Sequence, residues 1–120
     1  MSEGTLRVLA YLDHILQAVQ RIARYTKGMT EAEFTTNDMA QDAVIRNIEI
    51  IGEAARNIAR HHPDFAGSHP EIPWESIYLM RNRVAHGYFS VDLEIVWRTL
   101  QRDLPEFERQ VLQLKVDNGQ

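Results

Sequence analysis

The sequence DMAQDAVIRNIEIIGEAARNIAR, residues 38–60, is the strongest indication of the fold. Its apolar residues recur at steps of three and four, which places them on one face of an α-helix. These residues are Ala40, Val44, Ile48, Ile51, Ala55 and Ile58, and Ile50 and Ala54 widen the same face. A face this wide is expected for a helix that touches several neighbours. The sequence therefore predicts a long helix here, preceded by the capping residues Thr35, Thr36 and Asn37.

Three other segments have the same helical period. The first helix is predicted over residues 5–26, with the apolar positions Leu6, Leu9, Leu12, Ile15, Leu16, Val19, Ile22 and Ala23. Another helix runs from Trp74 to about Ala85, where Gly87 is placed to stop it in a left-handed conformation. The last helix starts at Ser90 or Asp92, and Pro105 is expected to kink or restart it.

The remaining segments are short. Residues 29–36 predict a connection with one helical turn, and residues 61–73, rich in proline and histidine, predict a loop. No β-type alternation and no internal repeat occur. The predicted fold class is therefore all-α: an antiparallel up-and-down four-helix bundle, with room for one short extra helix. One domain is expected to span residues 1–120, since this length suits a single core.

Composition narrows the function classes. The chain has no cysteine, which leaves no thiolate metal site and no disulfide. No apolar run approaches the roughly 20 residues that span a membrane, and the N-terminus lacks signal-peptide features, so a cytoplasmic protein without membrane association is predicted. The formal net charge of -4 argues against strong non-specific binding of nucleic acid. A local basic site remains open, because arginines recur on the second long helix and at positions 81 and 83.

The segment Arg81-Asn82-Arg83-Val84-Ala85-His86-Gly87-Tyr88 holds the candidate chemistry. In an unbroken helix, Arg81 and His86 diverge by about 140 degrees. They converge on one substrate only if the helix ends between them or a second chain contributes, and Gly87 is expected to supply such an ending. Asn82 precedes His86 by four residues and therefore shares its face.

This residue set suits RNA cleavage. A histidine with an ordinary pKa near 6.5 can take the proton from a ribose 2′-hydroxyl. An arginine can hold the phosphate and stabilise its growing charge, while a tyrosine can position the phosphate or stack on a base. The residues alone leave a second interpretation open: a helix end at which His86 caps carbonyls and Arg81 pairs with Glu75 or Asp92.

The same segment resembles the HepT-like family of HEPN domains. The likeness is carried by Ile72-Pro73-Trp74, by residues 80–89, by Val91-Asp92 and Trp97, and by residues 48–55 of the long helix, Ile-Glu-Ile-Ile-Gly-Glu-Ala-Ala. The family signature is an arginine, four residues, a histidine, one residue and a tyrosine. Arg81, His86 and Tyr88 match it without departure.

The resemblance implies a specific function. Members are endoribonuclease toxins of two-gene, type VII toxin–antitoxin modules, which cleave RNA without a metal or other cofactor. By analogy, Arg81 and His86 are catalytic, and Asn82, Arg83 and Tyr88 bind or support the substrate. Members form homodimers with a composite active site. Their antitoxin, a minimal nucleotidyltransferase of the MntA type, silences them by AMPylation of the motif tyrosine, here Tyr88.

Two other functions stay open at this stage. HEPN domains resembling this one also act as non-catalytic binding modules for a nucleotidyltransferase, and a purely structural helical dimer is a further alternative. The intact arginine and histidine favour the enzyme.

Several further residues have an ordinary and a functional interpretation. His61, His62 and His69 with Asp64 and Glu71 suit a solvated loop better than a metal site, since they lack helical ligand spacing. Asp13 and His14 suit a surface better than an acid–base pair. Asn47 is either a hydrogen-bonded core amide or part of the cleft. Arg46 and Glu53 form ion pairs or support the cleft, and Trp74 and Trp97 are expected in the core.

Overall fold

All regular secondary structure is α-helical in the part of the chain that the computed structural model describes. The description covers the backbone of residues 2–86 and 92–119 and the side chains of residues 2–82 and 92–119. Within it the helices are α1 (Glu3–Tyr25), α2 (Glu31–Thr35), α3 (Asp38–His61), α4 (Pro63–Gly67), α5 (Trp74–His86) and α6 (Leu93–Asp117). Four long helices and no strand in this part of the chain confirm the predicted all-α class.

Helix α3 occupies the centre of the bundle. It packs against α1, α2, α4 and α5, while α6 packs against α1 and α2. All six residues of its predicted apolar face are buried, as is Ala54, and Ile50 is half-buried. The wide apolar face is therefore explained by packing within the chain against four other helices.

Side-chain caps fix where the helices begin. Asn37 precedes α3, and its Oδ1 accepts a hydrogen bond from the amide of Ala40 at 2.9 Å. Asp92 caps α6 by accepting from the amides of Glu94 and Ile95. Each cap satisfies amide groups that the first turn of a helix leaves unpaired. Of the residues predicted to begin these two helices, Asn37 and Asp92 are the N-caps.

Two details of the prediction are wrong. In α1, Leu6 is 54% exposed and Ala23 is also exposed, whereas Val8 and Ala18 lie in the core. The segment 61–73 is not all loop, because Pro63 opens the short helix α4 from its first turn, where a missing amide hydrogen costs nothing.

Pro105 does not restart the last helix, since α6 continues through it. Its side chain is exposed, so the carbonyl that loses its partner faces the solvent side of the helix.

The expectations placed on Gly87 and Ser90 lie outside the described residues. Among the helices described, none is long and apolar enough to cross a membrane.

Candidate active site

Arg81 of α5 lies directly against Gly52 of α3. A Cβ built on Gly52 would be 2.2 Å from the Cβ of Arg81 and 2.7 Å from its Cγ. Two carbons cannot approach this closely, so only a residue without a side chain fits at position 52. The aliphatic stem of Arg81 therefore packs against the backbone of α3.

The guanidinium group of Arg81 is held on two sides. Its Nη1 donates a hydrogen bond to Oδ1 of Asn82 at 3.0 Å, and its Nη2 is 3.7 Å from Oε2 of Glu53. The side chain is 27% exposed and that of Glu53 is 47% exposed. The ion-pair partner is thus Glu53, not Glu75 or Asp92 as the alternative interpretation of the helix end supposed.

One donor of this group has no partner in the described part of the chain. Nε of Arg81 is buried there without an acceptor. The contact with Glu53 is longer than a hydrogen bond, so Nη2 also keeps donor capacity. Nε is too buried for a ligand to reach, but a half-buried, oriented guanidinium whose terminal nitrogens keep donor capacity is suited to binding an anion such as phosphate.

The other residues of the motif are described only in part. Helix α5 runs unbroken to His86, so the helix does not end between Arg81 and His86. Around its axis these two positions lie about 140 degrees apart, whereas Asn82 and His86 share one face. The side chains of Arg83 and His86, and the whole of Tyr88, lie outside the described residues. The structure thus brings Arg81 and Asn82 together and leaves the remaining three positions untested.

Asn47 is part of the core. It is 4% exposed, its Nδ2 donates to the carbonyl of Ala43 at 2.8 Å, and its Oδ1 accepts from Nη1 of Arg21 at 3.3 Å. Its partner belongs to α1, whereas Gly52 faces α5. Of its two interpretations, the hydrogen-bonded amide is confirmed. Arg46 forms an ordinary ion pair with Glu49 at 3.7 Å.

The other candidates take structural positions. Asp13 pairs with Lys115, and His69 pairs with Glu71 at 3.1 Å. Trp74 is buried, with its indole shared between the carbonyls of Ala66 and His69. Within the described residues, no group of three or more His, Asp or Glu side chains is arranged to hold a metal ion. Trp97 is half-buried with its ring against Phe34, 5.3 Å between centroids.

Sequence reasoning missed the role of Gly52. A glycine inside a strongly helical segment costs stability and so signals a close approach by another element. Gly52 is such a glycine, but the sequence does not show which residue approaches it. Only the packing of α5 on α3 identifies Arg81 as the residue that fills the space.

Comparisons with known proteins agree on one family. The family described as "Ribonuclease HepT-like" matches residues 15–114. A "Probable ribonuclease HepT" of Thermococcus cleftensis is 40% identical over 98 residues, covering 82% of this chain and 86% of the relative. A "Putative RNase" of Caldanaerobacter subterraneus is 36% identical over 104 residues, covering 87% and 90%.

A longer relative matches only in part. The "Gamma-glutamylcyclotransferase and putative RNase" of Methanocaldococcus jannaschii is 40% identical over 107 residues. The match covers 89% of this chain but 47% of that relative, so the chain spans about half its length. No solved structure matches the chain.

Proposed function

This chain belongs to the HepT-like ribonuclease family of HEPN domains, and from that membership we propose that it is an endoribonuclease toxin of a type VII toxin–antitoxin module. The observation that carries the proposal is the way in which the side chain of Arg81 is packed. Its stem packs on Gly52, and its guanidinium lies between Glu53 and Asn82 with donors to spare. That arrangement suits a group that holds the scissile phosphate of RNA.

We assign the chemistry as follows. His86 takes the proton of a ribose 2′-hydroxyl, the 2′-oxygen attacks phosphorus, and the bond from phosphorus to the 5′-oxygen breaks. The products are a 2′,3′-cyclic phosphate and a 5′-hydroxyl, whose proton returns from the His86 imidazolium. Arg81 stabilises the charge that grows on the phosphate oxygens. Asn82, Arg83 and Tyr88 support the substrate. The nucleophile belongs to the RNA itself, so the scheme needs no metal.

The active site we propose is shared by two chains. Since positions 81 and 86 lie about 140 degrees apart around one helix, a single chain does not direct both residues at one phosphate easily. In a homodimer, Arg81 of one chain serves His86 of the other. This composite cleft also follows from the resemblance to the family.

Regulation is proposed at Tyr88. A nucleotidyltransferase antitoxin would transfer AMP from ATP to the tyrosine hydroxyl, with release of pyrophosphate. The transferred phosphate is an anion, and we propose that it competes with the RNA phosphate for Arg81 and fills the cleft.

The test is cleavage of total RNA and tRNA by the purified protein in EDTA, wild type beside His86→Ala. We expect the wild type to cut and the variant to fail, with unchanged helical content by circular dichroism. Cutting by both proteins would remove His86 from the mechanism. No cutting by a wild type whose Tyr88 peptides have an unmodified mass would favour the non-catalytic binding module.

A further inference from the structure

An open groove of about 660 Å³ lies between α3, α4 and α5. Arg56 and Arg60 contribute to it from α3, and Trp74, Glu75 and Tyr78 from α5. The carbon at the centre of the Arg56 guanidinium is 5.1 Å from the centroid of the Tyr78 ring. The groove therefore combines two cations with a planar aromatic surface.

The two arginines of the groove differ from four others in the chain. Arg7, Arg46, Arg98 and Arg109 each form an ion pair with an acidic residue three or four positions away. Neither Arg56 nor Arg60 pairs with any acidic side chain that the structure describes. Glu75 is the acidic residue among those lining the groove, so the lining keeps a positive balance in a chain of net charge -4.

The groove lies along the same contact between α3 and α5 that positions Arg81. Tyr78 precedes Arg81 by one helical turn, and Arg56 follows Gly52 by one turn of α3. Arg60 lies one turn further, about 12 Å from Gly52 along the helix axis. That distance matches roughly three or four nucleotides at about 3.4 Å each when stacked.

We infer that this groove binds the single strand of RNA that flanks the phosphate held by Arg81. Arg56 and Arg60 contact successive phosphates, and the Tyr78 ring, which lies beside the Arg56 guanidinium, provides a surface for a base. Single-stranded RNA is held in this way, by backbone charge together with stacking on aromatic rings and guanidinium planes. The inference rests on the proposed ribonuclease function, because that function supplies the RNA.

Binding is measured with a short single-stranded RNA that is methylated on every 2′-oxygen, since it lacks the nucleophile and cannot be cut. The proteins are the wild type, Arg60→Gln, and the double variant Arg56→Gln/Arg60→Gln. The matched control is Arg24→Gln, because Arg24 also lies over a tyrosine ring, that of Tyr25 at 5.4 Å, but on α1. Kd is followed by fluorescence anisotropy over a series of salt concentrations.

We expect the double variant to bind about tenfold more weakly and Arg24→Gln to bind like the wild type. The plot of log Kd against log salt should lose about 0.7 in slope per arginine removed, a change that a structural role would not produce. Arg60 is exposed, so its replacement does not disturb the core. For Arg60→Gln alone, we expect half of the loss in slope that the double variant shows. Unchanged Kd and slope in both variants would overturn the inference.

Cleavage of unmodified RNA separates this inference from the proposed function. If the groove holds the strand, the double variant raises KM and leaves kcat unchanged. A wild type that never cuts, but whose binding depends on Arg56 and Arg60, removes the ribonuclease and keeps the RNA groove. A wild type that cuts while both variants bind and cut normally keeps the ribonuclease and removes the groove.

Discussion

Arg81 fills the space that a side chain at Gly52 would occupy, with 2.2 Å between its Cβ and the position of an added Cβ. The contact joins α3, which contains Glu53, to α5, which contains Asn82. The guanidinium is therefore positioned by two packed helices and not by a loop. Sites built on rigid elements hold their side chains more accurately than sites on loops.

The first prediction concerns Gly52→Ala. Inside a helix this change normally stabilises a protein, by up to about 1 kcal/mol. Here the new methyl group meets Cβ of Arg81, which is fixed by its own backbone and cannot rotate away. Helix α5 must shift, so we expect the free energy of unfolding to fall by about 1–3 kcal/mol in urea denaturation, with RNA cleavage falling too.

Gly67→Ala is the matched control for this prediction. A Cβ at Gly67 meets nothing within 4 Å, and the residue does not have a positive φ. The free energy of unfolding of Gly67→Ala should therefore stay close to that of the wild type. Equal stability of the two variants would show that the contact between Gly52 and Arg81 is not tight in solution.

The second prediction concerns Glu53→Gln, which keeps the shape of the side chain and removes its charge. The pair with Arg81 is partly exposed, so the free energy of unfolding should change by less than about 1 kcal/mol. Cleavage should suffer more, because a displacement of about 1 Å in a site can cost up to 100-fold. We expect kcat to fall by about tenfold while KM does not rise, since removing a negative charge beside Arg81 favours RNA binding.

Glu49→Gln is the control, because Glu49 pairs with Arg46 at the same 3.7 Å on the same helix. Its kcat should equal that of the wild type. A similar loss of kcat in both variants would mean that Glu53 acts through the general stability of α3 and not by positioning Arg81.

Much of this fold follows from helical periodicity alone. All six apolar positions first identified in α3 are buried, because a central helix offers a continuous apolar face that no competing preference disturbs. In α1, Leu6 and Ala23 are apolar but exposed, although Val8, Leu9 and Ile22 beside them are buried. Steps of three and four predict an apolar face, but they do not decide for each apolar residue whether another helix covers it.

The sequence predicts the motif of the candidate site but not the contacts that its residues make. The resemblance to the HepT-like family, confirmed by the family match, identified Arg81 from its spacing to His86 and Tyr88. Its partner Glu53 is 28 positions earlier in the chain, and no local pattern links them. The pairing depends on how α5 lies on α3, which is a tertiary property.

The third prediction concerns Asn47→Ala. The change removes the acceptor of Arg21 and the donor to Ala43 inside the core, so a buried polar group loses its partner. This should lower the free energy of unfolding by about 1–3 kcal/mol. Asn57→Ala on the same helix, where the residue is half-buried and makes no such bridge to α1, should change stability little.

Because Asn47 faces α1, its loss should leave the active site intact. We therefore expect unchanged kcat for RNA cleavage at a temperature well below unfolding. A large drop in kcat with full helical content would mean that Asn47 reaches the cleft after all.

The last prediction tests whether two chains share one active site. Arg81→Ala and His86→Ala should each abolish cleavage alone. When they are mixed in equal amounts and allowed to exchange subunits, about half of the dimers contain one chain of each kind. In such a dimer one of the two composite sites combines the intact Arg81 of one chain with the intact His86 of the other. The mixture should therefore regain about a quarter of wild-type activity. If each chain instead used its own arginine and histidine, every site in the mixture would lack one of them, and no activity would return.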